Sequence, residues 1–206
     1  MDSALYAQAQ SLFGDKLQRQ QERAARATGT SAGKPDALPS VPGLNLTARQ
    51  VGRLWRHVGM IDNFWQTLRE IEPGAIKRLA AIATARRWEV IFLTKRPASA
   101  GATAQVQSQR WLAANGFERP SVYVVQGSRG LIASALQLDV VVDDRHENCY
   151  DVVVDSRARA MLVWRGQGQQ FSAAAERLGV DVVKTVGECL DILSRFDQSE
   201  SAATNF

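Results

Sequence analysis

The sequence predicts an α/β fold: a parallel sheet with helices on both faces and a small helical cap. Two apolar runs that end in polar residues give the first indication. Val90-Ile91-Phe92-Leu93 closes on Thr94-Lys95-Arg96-Pro97, and Leu138-Asp139-Val140-Val141-Val142 closes on Asp143-Asp144. The second indication is what lies between them. A helical pattern (about Gln105 to Asn115), a third strand (Ser121 to Val125) and a helix opening near Gly127-Ser128-Arg129-Gly130 follow one another. Short β-branched runs alternating with helices read as βαβ units on a parallel sheet. Ligands of such sheets bind beyond the carboxyl ends of the strands, where Thr94 and Asp143 would sit.

The elements follow in order. Ala4 to Arg26 is helical by pattern, with Leu5, Ala9, Leu12 and Leu17 apolar and Gln18 to Arg26 strongly polar. Thr28 to Gly43, rich in Gly, Ser, Pro and Ala, predicts a flexible connection. A second helix starts at Leu46-Thr47, with Thr47 as N-cap and Val51, Leu54, Trp55 and Val58 as its apolar stripe. Asp62 to Leu68, carrying Phe64 and Trp65, continues this helical appendage, so residues 1–70 form a cap-like segment. Pro73-Gly74 opens the α/β core (71–196) with a helix from Ala75 to Arg86, whose Ile76, Leu79, Ala80 and Ala83 face the sheet. That helix feeds the Trp88–Leu93 strand. Beyond Asp144 come a short apolar run, Asp151 to Val154, and a strand, Ala160 to Trp164. A helix from Phe171 to Leu178, an apolar step at Val182-Val183 and a closing helix from Gly187 to Phe196 complete the core. The polar tail 197–206 is expected to fray.

Composition narrows the class. A chain of 206 residues with 45% hydrophobic content is long enough to bury a core. No apolar stretch of membrane-spanning length occurs and Met1 to Leu5 has no secretory layout, so a cytoplasmic location and no membrane partner are expected. Cys149 and Cys189 are too few for a disulfide framework and belong to no zinc-ligand cluster. The formal charge of +4 comes from scattered arginines without a nucleic-acid motif. Nucleic acid is therefore not expected as the principal partner, and a weak cationic field that draws anionic substrates accounts for the charge equally well. The sequence carries no signal for oligomeric state.

Taken in order, these motifs resemble the haloacid-dehalogenase (HAD)-like hydrolase superfamily, a Rossmannoid fold. Glu72-Pro73-Gly74-Ala75 followed by Trp88 to Pro97 is similar to the run into and through that family's second motif. Asp143-Asp144-Arg145-His146-Glu147-Asn148-Cys149 is similar to its fourth, especially in 5′-nucleotidase-like members. The resemblance covers about Pro73 to Trp164. It implies a phosphatase of small phosphorylated metabolites or nucleotides, working through Mg²⁺ and an aspartyl-phosphate. It also implies Thr94 and Lys95 as phosphate-binding residues and Asp143 and Asp144 as metal ligands, the hard oxygen donors that Mg²⁺ prefers. Arg129 stands nearest the position where the family usually has lysine, and its guanidinium is a different phosphate ligand from a compact ammonium.

The family's first motif, an apolar strand running into Asp-x-Asp with the nucleophile, is absent. Met1-Asp2-Ser3-Ala4 looks like the helix start that follows this motif, so a chain beginning just after its nucleophile, and inactive as a phosphatase, is expected. The missing strand is central in the family fold, beside both the Thr94 and Asp143 strands, and its loss leaves two unpaired edges. The Asp151–Val154 run is one candidate to fill the gap. The rival function is a non-catalytic phosphate-ligand or protein-binding module. A dinucleotide binder is disfavoured, because no GxGxxG follows a strand. Arg96 and His146 are further candidates for substrate contact. Phe64 and Trp65 either stack on a ligand or fill the core.

Overall fold

The computed structural model describes residues 4, 5, 7–13, 46–166 and 175–203. It is a mixed α/β protein whose strands run parallel in two small sheets. Its contacts divide it into two units, Met1–Ile71 with Val90–Val124 and Glu72–Glu89 with Val125–Phe206. Among the described residues no helix is long and apolar enough to cross a membrane. The expected connection 28–43 and the helical continuation past residue 13 lie outside the described residues.

The first unit is built around tryptophan. Residues 7–13 are helical, and Leu5, Ala9 and Phe13, four apart on one face, are buried. Helix α1 (Ala48–Met60) begins as expected at Thr47, which forms a capping box with Gln50. Its Leu54, Trp55 and Val58 join Phe64, Trp65 and Leu68 in one core cluster. The helix does not run through Leu68. Ile61 is extended and Asn63 is left-handed (φ 50°), so only a 3₁₀ turn, Phe64–Gln66, follows. The loop before α3 (Ala104–Ala114) docks there. Ala100 N–H donates to Gly59 O (2.9 Å), Asn63 N–H to Ala100 O (2.8 Å) and Ala102 N–H to Asn63 Oδ1 (3.1 Å). Gly101 is required in that loop: its φ is +86°, and a Cβ would stand 2.4 Å from Asp62 Oδ1. Strand β1 (Ile91–Thr94) pairs with β2 (Ser121–Val124) in parallel, Ile91 opposite Ser121 and Thr94 opposite Val124.

The second unit contains helix α2 (Ala75–Arg86), at the bounds expected, and holds the strand order β3–β4–β5, with β3 Val140–Asp143, β4 Arg159–Val163 and β5 Val180–Val183. Strand β4, paired on both edges, is the most buried: Ala160, Met161 and Leu162 are fully enclosed. Strands with neighbours on both sides and helices on their faces read as continuous apolar runs. Among the described residues β1 pairs only with β2, and β3 only with β4. Hence there are two sheets where one was expected.

Helix α4 (Arg129–Ala135) packs on α5 (His146–Asp155), which contains the Asp151–Val154 run. That run is helical and fills no strand position. Cys149 and Val152, one turn apart, face the core, and Val154 is exposed, so helical packing overrides the β-branched preference of three valines. The closing helix α6 (Val186–Ala203) runs past the expected end at Phe196, with no Pro or Gly after Gly187 to stop it.

Glu72 caps α6 from a distance in sequence. Its Oε1 accepts from Val186 N–H (2.9 Å), its Oε2 from Gly187 N–H (3.0 Å), and Arg165 pairs with it. Two orphan donors of a helix start are thereby satisfied by a carboxylate placed for the dipole. Burial alone would raise the Glu72 pKa, but the hydrogen bonds from Val186, Arg165 and Gly187 and the Arg165 charge outweigh it and hold it below 4.5. A depressed folded-state pKa contributes stability above the unfolded value, lost as pH falls through the folded one. Glu72→Ala should therefore cost about 1–2 kcal/mol at neutral pH. In Glu72→Gln the loss of stability on acidification below 4.5 should be shallower than in the parent, as read by urea unfolding across that range. Parallel curves would remove Glu72 as the source.

Candidate functional site

The second unit assembles its polar residues at the carboxyl end of β3. Strand pairing with β4 carries Asp143 to that end, opposite Leu162. Its carboxylate is held on both oxygens: Oδ1 accepts from Arg145 N–H (2.9 Å) and Oδ2 from Asn148 Nδ2 (2.9 Å). Asn148 reaches back because α5 starts immediately after the strand, placing a residue of its first turn above the strand end. Arg129 comes from the start of α4. Ser128 fixes that start, its Oγ accepting from Gly130 N–H (3.1 Å) and donating to Asp155 Oδ2 (3.2 Å).

Arg129 is only 7% exposed, and its Nε lies 3.8 Å from Asp143 Oδ2, too long for a hydrogen bond. Its Nε and Nη1 are buried with no acceptor. Such donors normally find partners, and each left unsatisfied costs about 1–3 kcal/mol. Burial shifts both members of this pair toward neutrality. It lowers the Arg129 pKa, opposed by Asp143 and assisted by Arg145. It raises that of Asp143, with the bonds from Asn148 and Arg145 pulling down, Asp144 pushing up and Arg129 pulling down. The pair is therefore a desolvated cation and anion in incomplete contact, an arrangement that an added oxyanion or cation would change strongly.

Asp144 is exposed beside Asp143. Among the described residues no group of three or more His, Cys, Asp or Glu is arranged to hold a metal. Two adjacent carboxylates nevertheless suit Mg²⁺, which takes one or two protein carboxylates and completes its octahedron with water and phosphate oxygens. The donor set fits a sparse magnesium site and not an all-protein cage. Cys149 offers no nucleophile. Its Sγ is buried, and burial together with the Asp143 and Asp144 charges pushes its pKa up to about 12. His146 approaches Glu147 and stacks edge-on with Tyr150 and Trp164.

In the first unit Thr94 ends β1 half-buried, and Lys95 is exposed after it. Phe64 and Trp65 are each 1% exposed, so they are core residues and not a stacking platform. Of the residues the sequence singles out, Arg129, Asp143 and Asp144 share the second unit, and Thr94 and Lys95 are neighbours in the first. Sequence reasoning assigned no role to Asn148. The signal was its position five residues after Asp143, within reach of the strand end from the first turn of the next helix.

No family model, curated protein or solved structure matches the chain. Fold and site together define a parallel α/β protein with a guanidinium–carboxylate pair at a strand end.

Proposed function

We propose that the chain is a HAD-like domain, related to phosphatases of small phosphorylated metabolites or nucleotides, that binds a phosphate group at Arg129 with Mg²⁺ at Asp143 and Asp144. The observation that carries this is the buried Arg129, with two N–H groups lacking acceptors, 3.8 Å from the Asp143 carboxylate.

The chain's own residues do the binding and orienting. Arg129 donates to phosphoryl oxygens, and charge-assisted bonds of this kind are about twice as strong as neutral ones. Asn148 and the Arg145 N–H hold the Asp143 carboxylate in one orientation. Bound Mg²⁺ would neutralise phosphate charge. The sequence contains no Asp-x-Asp on an apolar strand, the pair that supplies the nucleophile and the acid/base in that family. Binding without turnover is the expected behaviour.

Calorimetric titration with inorganic phosphate, with and without Mg²⁺, tests the assignment. The parent should bind more tightly with Mg²⁺, and Asp143→Asn should lose that dependence; a dependence unchanged in the variant overturns the metal assignment. Mg²⁺-dependent hydrolysis of p-nitrophenyl phosphate that Asp143→Asn abolishes would show an active phosphatase and overturn binding without turnover.

A further inference from the structure

Both members of the Arg129–Asp143 pair are held by one helix, α5. At its start, the Arg145 N–H and Asn148 Nδ2 fix the Asp143 carboxylate (2.9 Å each). At its end, Asp155 meets the residues on either side of Arg129. Its Oδ2 accepts from Ser128 Oγ (3.2 Å), which leaves the hydroxyl lone pairs to accept from the Gly130 and Leu131 N–H groups (3.1 and 3.4 Å). Gly130 in turn sits against Asp151 and Asp155, with no room for a methyl group. Arg129 is thus bracketed by contacts to a single turn of α5.

Asp155 is the last residue of α5, where the helix dipole disfavours an acid. Its effect lies instead at Arg129. A guanidinium and a carboxylate free to approach each other close to about 2.7–2.9 Å. Here Arg129 Nε stops 3.8 Å from Asp143 Oδ2, and Nε and Nη1 are left without an acceptor. Buried donors in that state require a cause in their surroundings. With both partners referenced to α5, the backbone of neither can approach the other without breaking a contact to that helix.

We propose that Asp155, acting through Ser128, is a positioning residue that holds Arg129 short of direct pairing with Asp143, so that its N–H groups stay open for a phosphoryl oxygen. This rests on the phosphate site proposed above and adds what keeps that site open.

The sign of one substitution separates positioning from charge. Asp155→Ala removes a negative charge, and by field alone it should strengthen anion binding. Positioning gives the opposite sign: affinity for inorganic phosphate should fall about tenfold, the scale on which lost orienting partners weaken metal ligands. Alanine favours the helix, so α5 should stay folded, as urea unfolding checks. Asp155→Asn, whose amide oxygen still accepts from Ser128, should rescue most of the affinity. The second readout is the Arg129 Nε–H resonance of the ¹⁵N-labelled full chain without phosphate, assigned by its disappearance in Arg129→Lys. It should move in Asp155→Ala, as the guanidinium closes on Asp143, and return in Asp155→Asn. Phosphate binding by Asp155→Ala at or above parent strength, an asparagine variant as weak as the alanine one, or a fixed Arg129 resonance overturns the proposal. If the parent binds no phosphate, the proposed function falls and the resonance alone decides: movement in Asp155→Ala upholds the hold on Arg129, and a fixed signal removes it.

Discussion

Trp65→Ala should destabilise the protein by about 3–5 kcal/mol, the range for deleting a buried aromatic side chain. Trp65 is 1% exposed and contacts Phe64 edge-on (5.0 Å between centroids) and Trp55 (6.2 Å). Truncation leaves a cavity between them, strips Pro97 O of its donor and removes the aromatic face under Arg96. Trp65→Phe keeps most of the volume but not the N–H, so it should fall well short of the alanine loss. Urea unfolding followed by circular dichroism measures both. A Trp65→Ala loss under about 1 kcal/mol would mean that this core repacks freely, contrary to the usual rigidity of protein interiors.

Gly130→Ala should be comparably damaging and should also disturb the site. Helices α4 and α5 approach so closely that a Cβ at residue 130 would stand 1.9 Å from Asp151 O and 2.7 Å from Asp155 Cβ. The first obstacle is backbone, which no rotamer change relieves. Overpacking of this kind costs about 1–3 kcal/mol or more. Because Arg129 is the adjacent residue, parting the helices should move its guanidinium relative to Asp143, and phosphate affinity should fall with stability. Gly127→Ala is the control, since nothing lies within 4 Å of its added methyl. Equal stability of the two variants would contradict the observed helix spacing.

Much of the order of elements was legible because it depends on local signals. The Thr47 cap with Gln50 three residues on, the apolar spacing of Leu54, Trp55 and Val58, and the β-branched runs ending at Thr94 and Asp143 lie close together in sequence. Errors arose where distant contacts decide. The three valines at 152–154 favour a strand locally, yet Val152 packs beside Cys149 against Ala160 and Leu162, so the segment is a helix. Phe64 and Trp65 suited either a ligand or the core, and their burial among residues of α1 settled it. The candidate site was half legible. Asp143, Asp144 and Arg129 follow from motif order, but the unpaired Arg129 donors and the hold of Asp155 on Ser128 depend on residues well separated in sequence.

The most direct measurement follows the Arg129 Nε–H resonance while inorganic phosphate is titrated in, with and without Mg²⁺. Saturable movement is expected, at lower phosphate concentration when Mg²⁺ is present. Asp143→Asn should erase that difference. An Arg129 signal indifferent to phosphate under both conditions would contradict a phosphate site at the end of β3.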